Sequence, residues 1–331
     1  MTRADAIAAF LARHGFGQAR AAPLAEDASV RRYLRLAGGP RPAVLMDAPP
    51  ERMDARPFLR VQAHLASLGL SAPAVLAADA EAGLVLLEDL GDRLFAAAPE
   101  PDDLAAPFDA AVDVLARLHL APPPAGLPAW DGAAMHRAAA ASFLDWWWPA
   151  VFGASAPAAA GAEFAAAMQA LLAPLHAGPM GFVHRDYFGG NLFWLPERAE
   201  LRRVGIVDFQ DAAIGHPAYD LAALVQDARR DLPPWLSGRQ VARYLARRPD
   251  LDPDAFRAAF AACAAQRHLR VAAQWVRLAR RDGKPAYLRH GPRTWRLLEA
   301  ALAHPAAAPL AAFLDRWVAP ERRCNPVGLA A

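Results

Sequence analysis

The spacing of apolar and polar positions divides the chain into a short strand-rich part and a longer helical part. Short apolar runs bounded by turn residues predict strands at 30–36, 43–47 and 84–87. Helical periodicity in the same region predicts two helices, at 4–14 and 55–69. Residues 1–91 are therefore expected to form a small antiparallel sheet with one helix packed on it.

After about residue 92, the apolar positions recur at helical spacing, interrupted by a Pro-rich connector at 121–129. The predicted helices are 102–120, 161–176, 217–230, 237–248, 254–282 and 292–303. The chain is expected to be an α+β protein of two lobes, with a sheet-rich lobe at 1–91 and a mainly helical lobe at 92–331.

The richest group of chemically informative residues interrupts the helical part. His184, Asp186 and Asn191 follow the pattern H-x-D-x-x-x-x-N, and Asp208 ends the apolar run 204–207. The apolar residues after Asn191 and those before Asp208 are predicted to pair as a hairpin, which would place Asp208 beside Asn191. This order and spacing is typical of kinase-type active sites.

Phosphoryl transfer gives each of these side chains a candidate role. Asp186 is the candidate base that orients an acceptor hydroxyl and takes its proton. Asn191 and Asp208 offer hard oxygen ligands of the kind that Mg²⁺ binds beside substrate phosphates. His184 is more often a residue that braces such a loop than a proton carrier. The fold is therefore expected to be protein-kinase-like, with nucleotide in the cleft and residues 88–91 as the hinge.

Composition excludes several other classes of function. The 331 residues are 55% hydrophobic with a net charge of +2 and scattered basic residues, which argues against a nucleic-acid surface. Cys263 and Cys324 are isolated, so neither a disulfide framework nor a zinc site is expected. The first residues lack an apolar signal core, and proline and glycine interrupt the longest uncharged stretch, 146–162. We expect a cytoplasmic protein with no membrane, nucleic-acid or obligate protein partner.

Further short motifs between about residues 27 and 297 resemble the aminoglycoside phosphotransferase family. Within it they are most similar to the branch that phosphorylates N-acetylmuramate and N-acetylglucosamine. The matching segments are 27–33 (DASVRRY), 46–51 (MDAPPE), 184–187 (HRDY), 208–212 (DFQDA), 219–221 (YDL), 226–231 (QDARRD), 266–269 (QRHL) and 281–285 (RDGKP). The resemblance implies ATP- and Mg²⁺-dependent transfer to the anomeric C1 hydroxyl of these amino sugars. The product would be the α-1-phosphate formed in cell-wall recycling.

One departure from the wider kinase pattern concerns the lysine that usually holds the nucleotide phosphates on the third strand. That strand ends in Met46-Asp47, and the only lysine is Lys284. We expect arginine to substitute, with Arg31 and Arg32 as candidates beside Ser29 and the backbone N–H groups of the turn before them. The alternative is that both arginines only decorate a strand edge.

The remaining candidate residues have both a functional and a structural interpretation. Glu88 and Leu90 are expected to bind adenine through backbone groups of the hinge. By resemblance, Asp220 braces the catalytic loop, although a carboxylate at a helix start is also common without any such role. The candidate substrate contacts are Asp211, Arg229 and Arg267. The alternatives are that Asp211 is a turn carboxylate, that Arg229 is solvated, and that Arg267 is a buried structural residue. Residues 146–148 are three consecutive tryptophans, and a sugar could stack on one of them. Successive residues cannot share one helix face, so one or two must pack in the core or between the lobes.

Two other functions remain open at this stage. A related phosphotransferase could act on an aminoglycoside, choline or homoserine, although the Arg-rich segment 266–297 does not suit a polycation. A silent nucleotide-binding regulator would fit the missing strand lysine. The intact set of Asp186, Asn191 and Asp208 argues against it.

Overall fold

The computed structural model describes residues 2–24, 31–97 and 104–326. The chain forms two compact units. The first comprises Met1–Ala98 and Gly190–Asp211, and the second comprises Pro99–Gly189 and Ala212–Ala331.

The first unit contains a five-stranded antiparallel sheet and two helices. Its strand order is β1-β2-β3-β5-β4. The strands are β1 (Arg20–Pro23), β2 (Arg32–Ala37), β3 (Ala43–Asp47), β4 (Val75–Asp79) and β5 (Leu84–Glu88), and the helices are α1 (Arg3–Arg13) and α2 (Arg56–Ser67). Sequence patterning predicted β2, β3 and β5 but missed both edge strands. β1 is fully exposed and β4 reads Val-Leu-Ala-Ala-Asp, so neither carries an alternating apolar pattern.

The core of this unit lies between α1 and one face of the sheet. Thr2 caps α1 reciprocally with Asp5, which fixes the start of the helix. The buried residues that meet on this face are Phe10, Leu11, Phe16, Leu36, Ala43, Leu45, Leu84 and Leu86.

A short hairpin after Asn191 belongs to the same unit. Its strands β8 (Leu192–Trp194) and β9 (Val204–Ile206) pair antiparallel, with Leu192 opposite Ile206. The Ile206 N–H donates to the Ser71 carbonyl at 2.8 Å, and the Trp194 N–H donates to the Arg93 carbonyl at 2.7 Å. These hydrogen bonds explain why the hairpin belongs to the same unit as the five-stranded sheet. The sequence-based division into 1–91 and 92–331 had placed the hairpin in the helical lobe.

The second unit is mainly helical, with a three-stranded sheet of order β6-β10-β7. Its strands are β6 (Ala129–Trp130), β7 (Gly181–Val183) and β10 (Ala213–Gly215). Its helices are α3 (Ala105–Leu120), α4 (Gly132–Ser142), α5 (Trp148–Phe152), α6 (Ala158–Leu172), α7 (Ala218–Val225), α8 (Pro234–Arg247), α9 (Pro253–Arg281), α10 (Gly291–Leu302) and α11 (Ala308–Trp317). The longest, α9, packs against α4, α7 and α10.

Three local features differ from or refine the sequence predictions. Helix α7 ends at Val225 rather than 230, because the side chain of Asp227 accepts the Arg229 N–H at 2.8 Å and turns the chain. The chain between α4 and α5 forms a π-helical turn, Phe143–Trp147. Trp147 and Trp148 are buried there, as expected for at least one or two of the three tryptophans.

One straight helical stretch among the described residues, Ala158–Ala177, has the length and apolar composition of a membrane span. Its α6 portion packs against α4 and α11. Phe164, Met168 and Leu171 are buried on that helix, as in the core helix of a globular protein.

Candidate active site

The loop that carries Asp186 begins where β7 ends and is held by one buried carboxylate. Asp220 Oδ2 accepts the His184 N–H at 2.6 Å, and Asp220 Oδ1 accepts the Arg185 N–H at 2.9 Å. The Asp186 N–H donates to His184 Nδ1 at 3.3 Å. Arg185 has a left-handed φ of 73°, which a non-glycine residue adopts only when its surroundings hold it there. His184 and Asp220 thus lie where a bracing role requires them, and Asp186 follows in a half-buried position.

Asp220 lies in the first turn of α7, where the helix dipole favours a negative charge. His119 Nε2 lies 3.6 Å from Asp220 Oδ2, and His119 Nδ1 contacts the Tyr244 hydroxyl at 2.8 Å. Burial lowers the pKa of His119, although Asp220 opposes this shift. Asp220 is therefore directed at the loop by a buried polar network.

In the first unit, Asn191 and Asp208 lie side by side, as the hairpin predicted. Asn191 Nδ2 is 3.5 Å from Asp208 Oδ2, and Gln210 Nε2 donates to Asp208 Oδ1 at 2.8 Å. Asp208 also has a left-handed φ, 61°. The described residues contain no cluster of three or more His, Cys, Asp or Glu side chains suited to a metal. An amide oxygen and one carboxylate suit a hard cation that takes its other ligands from phosphate and water.

The two candidate phosphate arginines differ in their surroundings. Arg32 donates to Asp47 Oδ2 through Nε at 3.1 Å and Nη2 at 2.5 Å, and Arg3 binds the other oxygen of the same buried carboxylate. Arg31 hydrogen-bonds Tyr33. Burial raises the pKa of Tyr33, Arg31 opposes this shift and the Asp208 carboxylate adds to it. Arg31 and Asp208 thus both interact with Tyr33, whereas Arg32 is bound into an ion-pair network with Asp47 and Arg3. Ser29 lies outside the described residues.

Side chains of the predicted hinge contact the segment that contains β8 and β9. Glu88 Oε1 accepts Arg198 Nη2 at 2.5 Å, and the Glu88 N–H donates to the Ala74 carbonyl at 2.9 Å. Leu90 is buried, and a Cβ on Gly205 would lie 2.8 Å from its Cδ1. Glycine at 205 thus makes room for the hinge leucine.

The candidate substrate residues fall into three environments. Asp211 is exposed and has Gln210 Nε2 at 3.4 Å from Oδ2. The Arg229 guanidinium stacks over Phe188 at 4.3 Å and is half-buried. Arg267 is only 2% exposed, and its Nε and Nη1 have no hydrogen-bond partner among the described residues.

Sequence reasoning missed Arg270, one turn further along α9 than Arg267. Its Nη2 donates to the Tyr219 hydroxyl at 3.0 Å, and its charge interacts with Asp186, as does that of Arg267. The spacing of three residues on a predicted helix was the available signal, because it puts two arginines on one face.

The comparisons with known proteins agree with this geometry. The sequence profile of the phosphotransferase enzyme family matches residues 20–258, and the chain belongs to that family. It is 40% identical to the N-acetylmuramate/N-acetylglucosamine kinase of Caulobacter vibrioides, over 97% of this chain and 98% of the relative. The Pseudomonas aeruginosa protein of the same name is 35% identical, over 85% and 83% of the two chains.

A crystal structure of a choline/ethanolamine kinase family protein from Mesorhizobium loti superimposes with a TM-score of 0.62 at 16% identity. It covers 95% of this chain and 100% of its own length. This likeness confirms the kinase-like α+β fold.

Proposed function

We propose that the protein is an ATP-dependent sugar kinase that phosphorylates N-acetylmuramate and N-acetylglucosamine on the C1 hydroxyl. The proposal is carried by two arrangements, a braced Asp186 loop in the second unit and Asn191 beside Asp208 in the first. The three residues follow one another along the chain in the order that kinase-type phosphoryl transfer uses. The names of relatives 33–40% identical over most of the chain support the amino-sugar acceptor. The resemblance implies the α-1-phosphate as product.

In the proposed reaction, the Asp186 carboxylate accepts a hydrogen bond from the C1 hydroxyl and takes its proton. The sugar oxygen forms a bond to the γ-phosphorus while the bond from that phosphorus to the β–γ bridging oxygen breaks, so ADP leaves. Asp186 is held for this role because the N–H groups of His184 and Arg185 are fixed by Asp220.

The family implies a divalent metal, and Mg²⁺ is the ion we propose. Asn191 through its amide oxygen and Asp208 through its carboxylate would hold it. When bound, the metal neutralises the charge of the phosphates.

For the nucleotide, we propose that Arg31 takes the place of the strand lysine, together with Ser29. The support is that Arg31 and the proposed metal ligand Asp208 both interact with Tyr33, whereas Arg32 is engaged by Asp47. Backbone groups of the hinge at Glu88 and Leu90 would contact adenine.

We further propose Asp211 and Arg229 as sugar contacts and the cytoplasm as the place of action, in peptidoglycan recycling. Arg229 has a guanidinium that is already oriented by Phe188, which suits binding of an acidic or hydroxylated sugar.

The test is turnover with Mg·ATP and a panel of N-acetylmuramate, N-acetylglucosamine, choline, homoserine and kanamycin. The wild type should release ADP with the two amino sugars alone. Asp186→Asn should lower kcat by roughly 10²–10⁴ because it removes a positioned base, and circular dichroism should show that the variant is folded at the assay temperature. Asp282→Asn, at an exposed position paired with Arg281, is the control and should behave as wild type. An Asp186→Asn enzyme within tenfold of wild type would contradict the assigned role. Turnover of choline, homoserine or kanamycin instead would show that the amino-sugar assignment is wrong.

A further inference from the structure

The second unit contains a buried group of hydrogen-bond donors near Asp186. Arg267 is almost fully buried, with unpartnered Nε and Nη1 among the described residues. The Nε of Arg270 and the indole Nε1 of Trp130 are likewise buried without an acceptor in the described part of the chain. Arginine and tryptophan side chains have donors and no acceptor, so the missing partner must be an acceptor.

The charges around this group are also unbalanced. The carboxylate charge of Asp186 interacts favourably with the guanidinium charges of both Arg267 and Arg270. Asp227 acts on Arg267 as well, but it also faces Arg229 and Arg293, and burial raises its pKa. Two guanidinium groups thus share little negative charge, in a protein where buried charges are normally paired.

The two arginines are held differently. Arg270 is oriented by Tyr219 at 3.0 Å and by Gln274 Oε1 at 2.9 Å. In residues 2–24, 31–97 and 104–326, Nε and Nη1 of Arg267 have no hydrogen-bond acceptor, so its guanidinium fork keeps the geometry that suits a bidentate carboxylate.

An anion near Asp186 could be part of the acceptor sugar or the transferred phosphoryl group. The two proposed acceptors differ in one charged group, because N-acetylmuramate carries a lactyl carboxylate on its 3-oxygen and N-acetylglucosamine does not. A preformed pair of guanidinium groups in the same unit as Asp186 fits that difference.

We propose that Arg267, supported by Arg270, binds the lactyl carboxylate of N-acetylmuramate and sets the preference for this sugar over N-acetylglucosamine. This inference rests on the amino-sugar kinase function proposed above. It assigns a specificity residue, since N-acetylglucosamine can react without it.

The experiment measures kcat/KM of wild type and Arg267→Met with three acceptors: N-acetylmuramate, its lactyl methyl ester and N-acetylglucosamine. A lost hydrogen bond to a charged group predicts a roughly 10- to 150-fold fall for N-acetylmuramate in the variant. For the ester and N-acetylglucosamine, kcat/KM should change less than about threefold, because neither of them makes that hydrogen bond in the wild type. In the wild type the ester should already be a poor substrate, and in the variant acid and ester should converge.

A second variant guards against misfolding. Arg267→Lys keeps the charge and loses the fork, so it should reduce the preference for acid over ester without abolishing it. Arg257→Met changes an exposed arginine of α9 that pairs with Asp254 and should leave all three acceptors unaffected. The thermal midpoint of Arg267→Met should equal or exceed that of wild type, because an unpaired buried charge is removed.

An equal loss with N-acetylmuramate and N-acetylglucosamine would overturn the proposal and place Arg267 on the phosphoryl group or on Asp186. An unchanged preference in both Arg267 variants would also overturn it, while leaving the kinase function intact. If the wild type phosphorylates neither sugar, the parent function fails first.

Discussion

Replacing Asp220 by Asn tests whether one buried carboxylate positions the catalytic loop. Asp220 accepts one hydrogen bond on each carboxylate oxygen: the His184 N–H donates to Oδ2 at 2.6 Å, and the Arg185 N–H donates to Oδ1 at 2.9 Å. An amide offers one oxygen and one NH₂ group, so one backbone N–H would lose its acceptor and face a donor. A hydrogen bond to a charged group contributes about 1.5–3 kcal/mol. Relief of the buried charge offsets part of this loss.

The expected net cost is about 1–3 kcal/mol, or a fall of roughly 2–10 °C in the thermal midpoint. Displacement of Asp186 by a fraction of an ångström to an ångström should lower kcat by about 10- to 100-fold. KM for ATP should change little, because the proposed nucleotide residues lie in the other unit.

The matched control is Asp252→Asn at the start of α9. Asp252 also accepts two N–H groups, from Asp254 at 3.0 Å and Ala255 at 2.7 Å, but both go to Oδ1. Asn can keep both bonds and is an equally good helix cap, so midpoint and kcat should stay near wild type. An Asp220→Asn enzyme with wild-type midpoint and kcat would refute the argument about the loop.

Three other predictions concern the nucleotide, the metal and pH. Arg31→Met should raise KM for ATP by roughly tenfold or more through the loss of a charged phosphate contact, whereas Arg32→Met should mainly lower the thermal midpoint; the reverse result would exchange their roles. Asp208→Asn should raise the Mg²⁺ concentration for half-maximal rate, read from an Mg²⁺ titration at saturating ATP, and an unchanged titration would remove Asp208 from the metal site. His216 is buried, which lowers its pKa from 6.5 to about 4, and its Nδ1 accepts the Ala218 N–H. Between pH 6.5 and 4, the unfolded chain therefore binds a proton at this residue that the folded protein does not bind. The free energy of unfolding should fall as the pH drops, by up to about 1.4 kcal/mol per pH unit. His216→Asn should flatten that slope in denaturant melts from pH 7 to 4, and an unchanged slope would assign the acid sensitivity to other groups.

The parts of the site that follow from local sequence were predictable. Asn191 and Asp208 flank a hairpin whose apolar runs are close in the chain, so their approach follows from strand pairing alone. The bracing role of His184 was predicted from the motif, but that of Asp220 came only from the resemblance, because Asp220 lies 35 positions after the Arg185 whose N–H it accepts.

The remainder depended on tertiary packing. Arg32 and Asp47 face each other across β2 and β3, and only the register of the strands shows that this arginine is already paired. The edge strands β1 and β4 have no alternation of apolar and polar residues, so the sequence gives no strand pattern there. Burial of Arg267 Nε and Nη1 without an acceptor among the described residues depends on how several helices pack together, so no local sequence pattern could predict it.

The central claim is transfer to the anomeric oxygen of an amino sugar, with Asp186 as base. The most direct measurement is a ³¹P NMR spectrum, coupled to protons, of purified protein with Mg·ATP and N-acetylmuramate. A phosphate on C1 couples to the anomeric proton H1, so we predict a doublet that appears with wild type, collapses when H1 is selectively decoupled and is strongly reduced in Asp186→Asn. A phosphate signal split by two protons would place the phosphate on C6. That signal, or a doublet of wild-type intensity from Asp186→Asn, would contradict the account.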